Sequence, residues 1–77
     1  MERKITVFEL QGDYVCETCG RKAVYRICVE EKYREGEITY LTKLCTPCAA
    51  EFLKRIVYRQ DPIDAITEMR KGELDED

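Results

Sequence analysis

The sequence predicts a small α+β domain assembled around a metal site of four cysteines. Three observations point there. Two C-x-x-C pairs, Cys16-Glu17-Thr18-Cys19 and Cys45-Thr46-Pro47-Cys48, are separated by 25 residues; stretches of alternating polarity lie before and between them; and apolar residues recur at helical spacing after the second pair. A chain of 77 residues has room for one domain. A core of that size supplies only about 3–5 kcal/mol unless something staples it, and four thiolates on one metal are such a staple.

The elements follow in order. Lys4-Ile5-Thr6-Val7-Phe8-Glu9-Leu10 is rich in β-branched residues and roughly alternating, which predicts a short strand ending at a Gln11-Gly12-Asp13 turn. Cys16-Glu17-Thr18-Cys19-Gly20 has the form of a zinc knuckle, in which two thiolates three residues apart converge and the glycine takes the positive φ of the turn. From Ala23 to Glu31 the chain alternates, with Tyr25, Ile27 and Val29 on one face and Val24, Arg26, Cys28 and Glu30 on the other. Ile38 to Leu44 repeats the pattern, and the charged stretch Lys32 to Glu37 between them predicts the turn of a β-hairpin.

The second cysteine pair opens a helix. Thr46 fits as its N-cap and Pro47 as its first residue, and Ala49, Phe52, Leu53, Ile56 and Val57 form its apolar stripe. Cys48 then lies in the first turn, where the helix dipole favours a thiolate. Asp61-Pro62 predicts a second helix with Asp61 as cap, Asp64 in the first turn and a narrow stripe of Ile63, Ile66 and Met69, stopped by Gly72. The expected domain spans 1–72, and the acidic stretch 73–77 reads as a disordered tail.

A knuckle, a hairpin and a helix whose first turn supplies the last two ligands resembles the treble-clef zinc fingers, over about residues 14–60. The residues that carry the resemblance are Cys16, Cys19, Gly20, the hairpin from Ala23 to Leu44, and Cys45 and Cys48 ahead of Phe52-Leu53. Leu44-Cys45-Thr46-Pro47-Cys48-Ala49 is similar to the end of a GATA-type finger, although the gap between the pairs is longer and the basic tail of that type is replaced by an acidic one. The resemblance implies one structural zinc ion on Cys16, Cys19, Cys45 and Cys48. For function it implies little, because treble clefs serve DNA, RNA, ubiquitin systems and catalysis alike.

Composition narrows the rest. Histidine is absent, which removes the commonest general acid–base and the commonest catalytic zinc ligand, and a closed four-cysteine site has no open position for chemistry. The expectation is a protein without enzymatic activity. Rubredoxin-like iron is disfavoured because Ala49, not glycine, follows Cys48. A thioredoxin-like use of Cys45-Thr46-Pro47-Cys48 leaves too little chain after it. Near Met1 there is no apolar signal segment, and no apolar run approaches the ~20 residues that span a bilayer. The cysteines therefore read as metal ligands in a reducing cytoplasm rather than as disulfides, with no membrane association. Cys28 reads as a small core or edge residue, with a redox or intermolecular role as the alternative. The charged fraction of 38% resembles that of thermophile proteins.

The net charge of −3 is uneven: residues 20–60 carry nine basic and five acidic groups between acidic flanks. Arg21, Lys22, Arg26, Lys43, Lys54, Arg55 and Arg59, with Tyr25, Tyr40 and Tyr58, read either as a solvated face or as a surface for RNA, single strands or a ribonucleoprotein. Ile63, Ile66 and Met69 read either as packing or as a docking helix for a protein, and the N-terminal strand as a segment able to pair with a partner's sheet edge. Two functions follow: a protein-interaction adaptor or small regulator, and, as the alternative, a nucleic-acid binder. Acids interleaved with the bases favour the first; bases gathered on one face favour the second.

Overall fold

The computed structural model describes residues 2–74, with side chains over residues 2–70. Five elements follow one another: strands β1 (Glu2–Glu9), β2 (Tyr25–Tyr33) and β3 (Gly36–Leu44), then helices α1 (Thr46–Val57) and α2 (Pro62–Leu74). The strands form one antiparallel sheet in the order β1-β2-β3.

Alternation decides which face is buried. The register sets Arg3, Ile5 and Val7 beside Glu31, Val29 and Ile27, and these beside Ile38, Tyr40 and Thr42. Ile27, Val29, Leu44 and Thr42 on this face are fully buried, together with Phe52 and Ile56 of α1 and Ala65 and Ile66 of α2. Tyr40 stacks on Phe52 with ring centroids 6.3 Å apart. The other face carries Glu2, Lys4, Thr6 and Phe8, then Arg26, Cys28, Glu30 and Lys32, then Glu37, Thr39, Leu41 and Lys43.

Several expectations are corrected. The N-terminal strand starts earlier, at Glu2, and forms the edge of the sheet beside β2, which leaves its other side open. The hairpin turn is Arg34-Glu35 alone, because Lys32 and Glu37 stay in register with an ion pair at 3.8 Å, and Gly36, at φ 150°, takes the bend. The first helix is capped by Cys45 rather than Thr46: Cys45 is extended (φ −73°, ψ 170°) and its carbonyl accepts the first helical bond, from Ala49 N–H at 2.8 Å. Pro47 moves to the second helical position, where its missing N–H is still harmless. Val57 lies 68% exposed, outside the buried stripe of Ala49, Phe52 and Ile56.

The end of α1 is set by Arg59, a non-glycine residue at φ 67°. Its N–H donates to the Ile56 carbonyl at 3.0 Å, and that of Gln60 to the Arg55 carbonyl at 3.2 Å, which is the Schellman arrangement. Asp61 caps α2 as expected, accepting from Ile63 N–H at 2.9 Å. The buried face of α2 is Pro62, Ala65, Ile66 and partly Met69; Ile63 lies about 100° round the helix from Pro62 and is 60% exposed. The helix also continues through Gly72 to Leu74, so the expected stop is absent. Of the expected disordered tail, Glu73 and Leu74 are helical, and the remainder lies outside the described residues.

Arg3 ties β1 into this frame. Its Nε donates to Glu31 Oε2 at 2.8 Å, Nη2 reaches the same carboxylate, and Nη1 donates to the Ile56 carbonyl at 2.8 Å. Glu31 is 4% exposed and receives a further bond from the Tyr33 hydroxyl at 2.9 Å. One side chain thus joins the edge strand, the central strand and the last turn of α1.

Candidate metal centre

The knuckle is built by its backbone. Gly20 N–H donates to the Cys16 carbonyl at 3.1 Å, Cys16 N–H to the Arg21 carbonyl at 2.6 Å, and Val15 bridges to Lys22 across the turn. Gly20 sits at φ 80°, where a side chain would be strained though space is open. This turn presents Cys16 and Cys19. The other two thiols come from the start of α1, Cys45 at the N-cap and Cys48 in the first turn.

The four Sγ atoms all lie within 4.8 Å of one another, and Cys19 and Cys45 stand 3.4 Å apart. Zinc–thiolate bonds near 2.3 Å in a tetrahedron place sulfurs about 3.8 Å apart, so the arrangement fits an ion of that size. Cys16 and Cys45 are buried and Cys19 and Cys48 partly so.

Local dipoles divide the thiols. Burial pushes Cys16 up, but the Thr18 hydroxyl at 3.3 Å and the backbone N–H groups of Cys45, Cys19 and Thr18 outweigh it and bring the group down to about 6. Cys48 is pushed up to about 12 by burial and by hydrogen bonding to the neighbouring thiols. Burial, then bonding to Cys45 and Cys16, also raises Cys19. Within one cluster the shifts oppose each other: Cys16 ionises most readily, and Cys19 and Cys48 hold their protons more tightly.

Glu17, the residue after the first ligand, fastens the knuckle to the sheet. Its N–H donates to the Lys43 carbonyl at 3.0 Å, and its carboxylate accepts from Thr42 Oγ1 and Lys43 N–H, both at 3.1 Å. Arg70 Nε then donates to the Glu17 carbonyl at 2.8 Å, joining α2 to the same point. Sequence reasoning missed Glu17, Arg70, Arg3 and Glu31. Only Glu31 carried a signal, since it has the parity of Ile27 and Val29.

The ten residues read as a nucleic-acid surface do not share a face. Arg26 and Lys43 are register partners on the open side of the sheet, with Arg26 5.5 Å from the Phe8 ring centre and Lys43 5.6 Å from that of Tyr14. Tyr25 and Tyr40 point to the opposite side and pack on the core. Lys54, Arg55 and Arg59 belong to α1 and its end, where Arg55 pairs with Glu51 at 2.9 Å and Glu68 at 3.5 Å. Arg21 and Lys22 are exposed at the knuckle and Tyr58 beyond α1. Acids interleave with bases on the open sheet face, where Glu2, Lys32 and Glu37 form one row and Lys4, Glu30 and Thr39 the next.

Of the expected docking stripe, Ile66 is buried and Met69 packs against the core, leaving Ile63 exposed alongside Val57 and Tyr58 near the helix junction. Cys28 is partly buried on the open sheet face. No helix among the described residues is long and apolar enough to cross a membrane. Neither a family model, nor a curated protein, nor a solved structure matches this chain.

Proposed function

We propose that this protein is a non-catalytic zinc module of treble-clef type that presents a rigid surface to a protein partner. The observation that carries the reading is the closure of the site: four thiols, two of them buried, meet within 4.8 Å and supply every position of a tetrahedral ion. The order of knuckle, hairpin and ligand-bearing helix supports the treble-clef assignment. Zinc on Cys16, Cys19, Cys45 and Cys48 contributes about 10–16 kcal/mol, well above what a core of this size provides. It serves as scaffold, joining the knuckle to α1. A protein partner is favoured by the interleaved charges of the open sheet face and by the exposed Val57, Tyr58 and Ile63.

The test is metal analysis of the purified protein followed by chelation. One zinc per chain, a colourless protein, and loss of the folded near-UV spectrum on chelation are expected; a fold unchanged by chelation overturns the scaffold role. For the partner, capture from native lysate is repeated with nuclease. Capture abolished by nuclease transfers the reading to nucleic acid, which the cation–aromatic pairs Arg26–Phe8 and Lys43–Tyr14 favour as the second choice.

A further inference from the structure

The two edges of the sheet are not equivalent. On β3 the outward backbone groups of Lys43 are already bonded by Glu17. On β1, Leu10 N–H points inward to the Val24 carbonyl at 2.8 Å. Antiparallel strands alternate the direction of their backbone groups residue by residue, so the groups of Glu2, Lys4, Thr6 and Phe8 face β2 and those of Arg3, Ile5, Val7 and Glu9 face outward. The register of β1 runs unbroken through eight residues, with neither a proline nor a bulge to blunt it. Beside that edge, Ile5 and Val7 are 36% and 44% exposed on the side that α1 leaves partly open, and Phe8 is 46% exposed on the other.

From this we infer that β1 is a docking edge for a second copy of the same chain, pairing antiparallel with its own counterpart about a two-fold axis at Thr6 to make a continuous six-stranded sheet. The strand sequence is self-complementary in that register. Outward-facing residues meet outward-facing residues, with Ile5 opposite Val7 and Arg3 opposite Glu9, each twice. On the open face Lys4 meets Phe8, whose ring already accepts Arg26 from its own sheet, and Thr6 meets Thr6 on the axis. No like charges face each other. Shifting the axis to Lys4 suits the strand less well, because it opposes lysine to lysine.

The remaining edge, β3, lacks this property. An axis at Thr39 sets Glu37 against Leu41, placing a carboxylate on an apolar residue. An axis at Tyr40 sets Glu37 against Lys43 and needs the backbone groups that Glu17 already holds. On β1, backbone pairing supplies the affinity and the side-chain pairs fix the register, as in strand addition generally, and the contact is isologous. Edge pairing of this kind does not depend on which metal the cysteines carry.

Sedimentation and light scattering of the metal-loaded protein in reducing buffer test it, across concentrations up to about 1 mM, the weak end of specific association. The mass is expected to rise from 9.1 kDa towards twice that value. Val7→Lys and Ile5→Glu, each checked for unchanged circular dichroism and metal content, should each weaken self-association at least tenfold. An equimolar mixture of the two should associate again, because the new lysine of one copy meets the new glutamate of the other. Should either variant fold poorly, Thr6→Lys on the open face takes its place: it puts two lysines on the axis and should abolish the dimer. A wild-type chain that stays monomeric overturns the inference, as do variants that associate like wild type or a mixture that does not recover.

Discussion

Replacing Arg3 by methionine removes the guanidinium while keeping most of the apolar stem. What remains is Glu31, its side chain 5% exposed beneath the Arg3 position, with only the Tyr33 hydroxyl donating to it. Removing one partner of a buried ion pair costs about 3–5 kcal/mol. The surviving tyrosine bond argues for the lower end, and the loss of the bond to the Ile56 carbonyl adds about 1 kcal/mol. A total near 4 kcal/mol corresponds to a fall in Tm of about 16–32 °C for a domain of this size. The assay is thermal unfolding of the metal-loaded protein by circular dichroism, with Arg3→Met, Glu31→Met and the double variant compared. The double variant should recover to within about 1 kcal/mol of wild type, because two methionines leave no stranded charge. If Arg3→Met costs less than about 1 kcal/mol and the double variant is no better than the single, β1 is not fastened by this pair and the reasoning fails.

Three further outcomes are expected. Arg59→Gly relieves an αL backbone at φ 67° and should raise stability by about 1 kcal/mol, read as a higher Tm; no gain would place the cost of that turn elsewhere. Ile66→Ala should cost about 2–4 kcal/mol and Ile63→Ala less than about 0.5 kcal/mol in denaturant unfolding, and equal effects would contradict the rotation of α2 described above. Burial and the neighbouring thiols raise Cys48 to about 12, so it holds its proton across the neutral range. Metal must displace the Cys48 proton, so zinc affinity measured by chelator competition should climb at least tenfold per pH unit near neutrality, and a flat profile would contradict this.

Local chemistry in the sequence was enough to pick out the four cysteines that cluster, the knuckle glycine and the Asp61-Pro62 cap, because each depends on neighbours within a few residues. It failed where distance along the chain decides. Thr46 looks like a cap by residue type, yet Cys45 takes that place, its carbonyl accepting from Ala49 N–H and its thiol meeting the other three, and such convergence is not a local property. Ile63, Ile66 and Met69 share a spacing, but which arc of α2 turns inward is set by Pro62 and by the α1 surface it meets. Glu31 reads as surface charge until Arg3 is brought to it from 28 residues away. The ten basic and aromatic residues read together as one block are divided by the sheet, since parity sends Tyr25 and Arg26 to opposite sides.

The reach of Arg3 also has a consequence in time. Its two partners lie 28 and 53 residues further along the chain, so during synthesis the strand can meet β2 and Glu31 well before the Ile56 carbonyl exists. By the time Ile56 is added, Cys45 and Cys48 have also been made, so all four thiols exist before the last bond of Arg3 can form. The bond from Arg3 to α1 is therefore a late one, closed only after the strand has taken its place in the sheet.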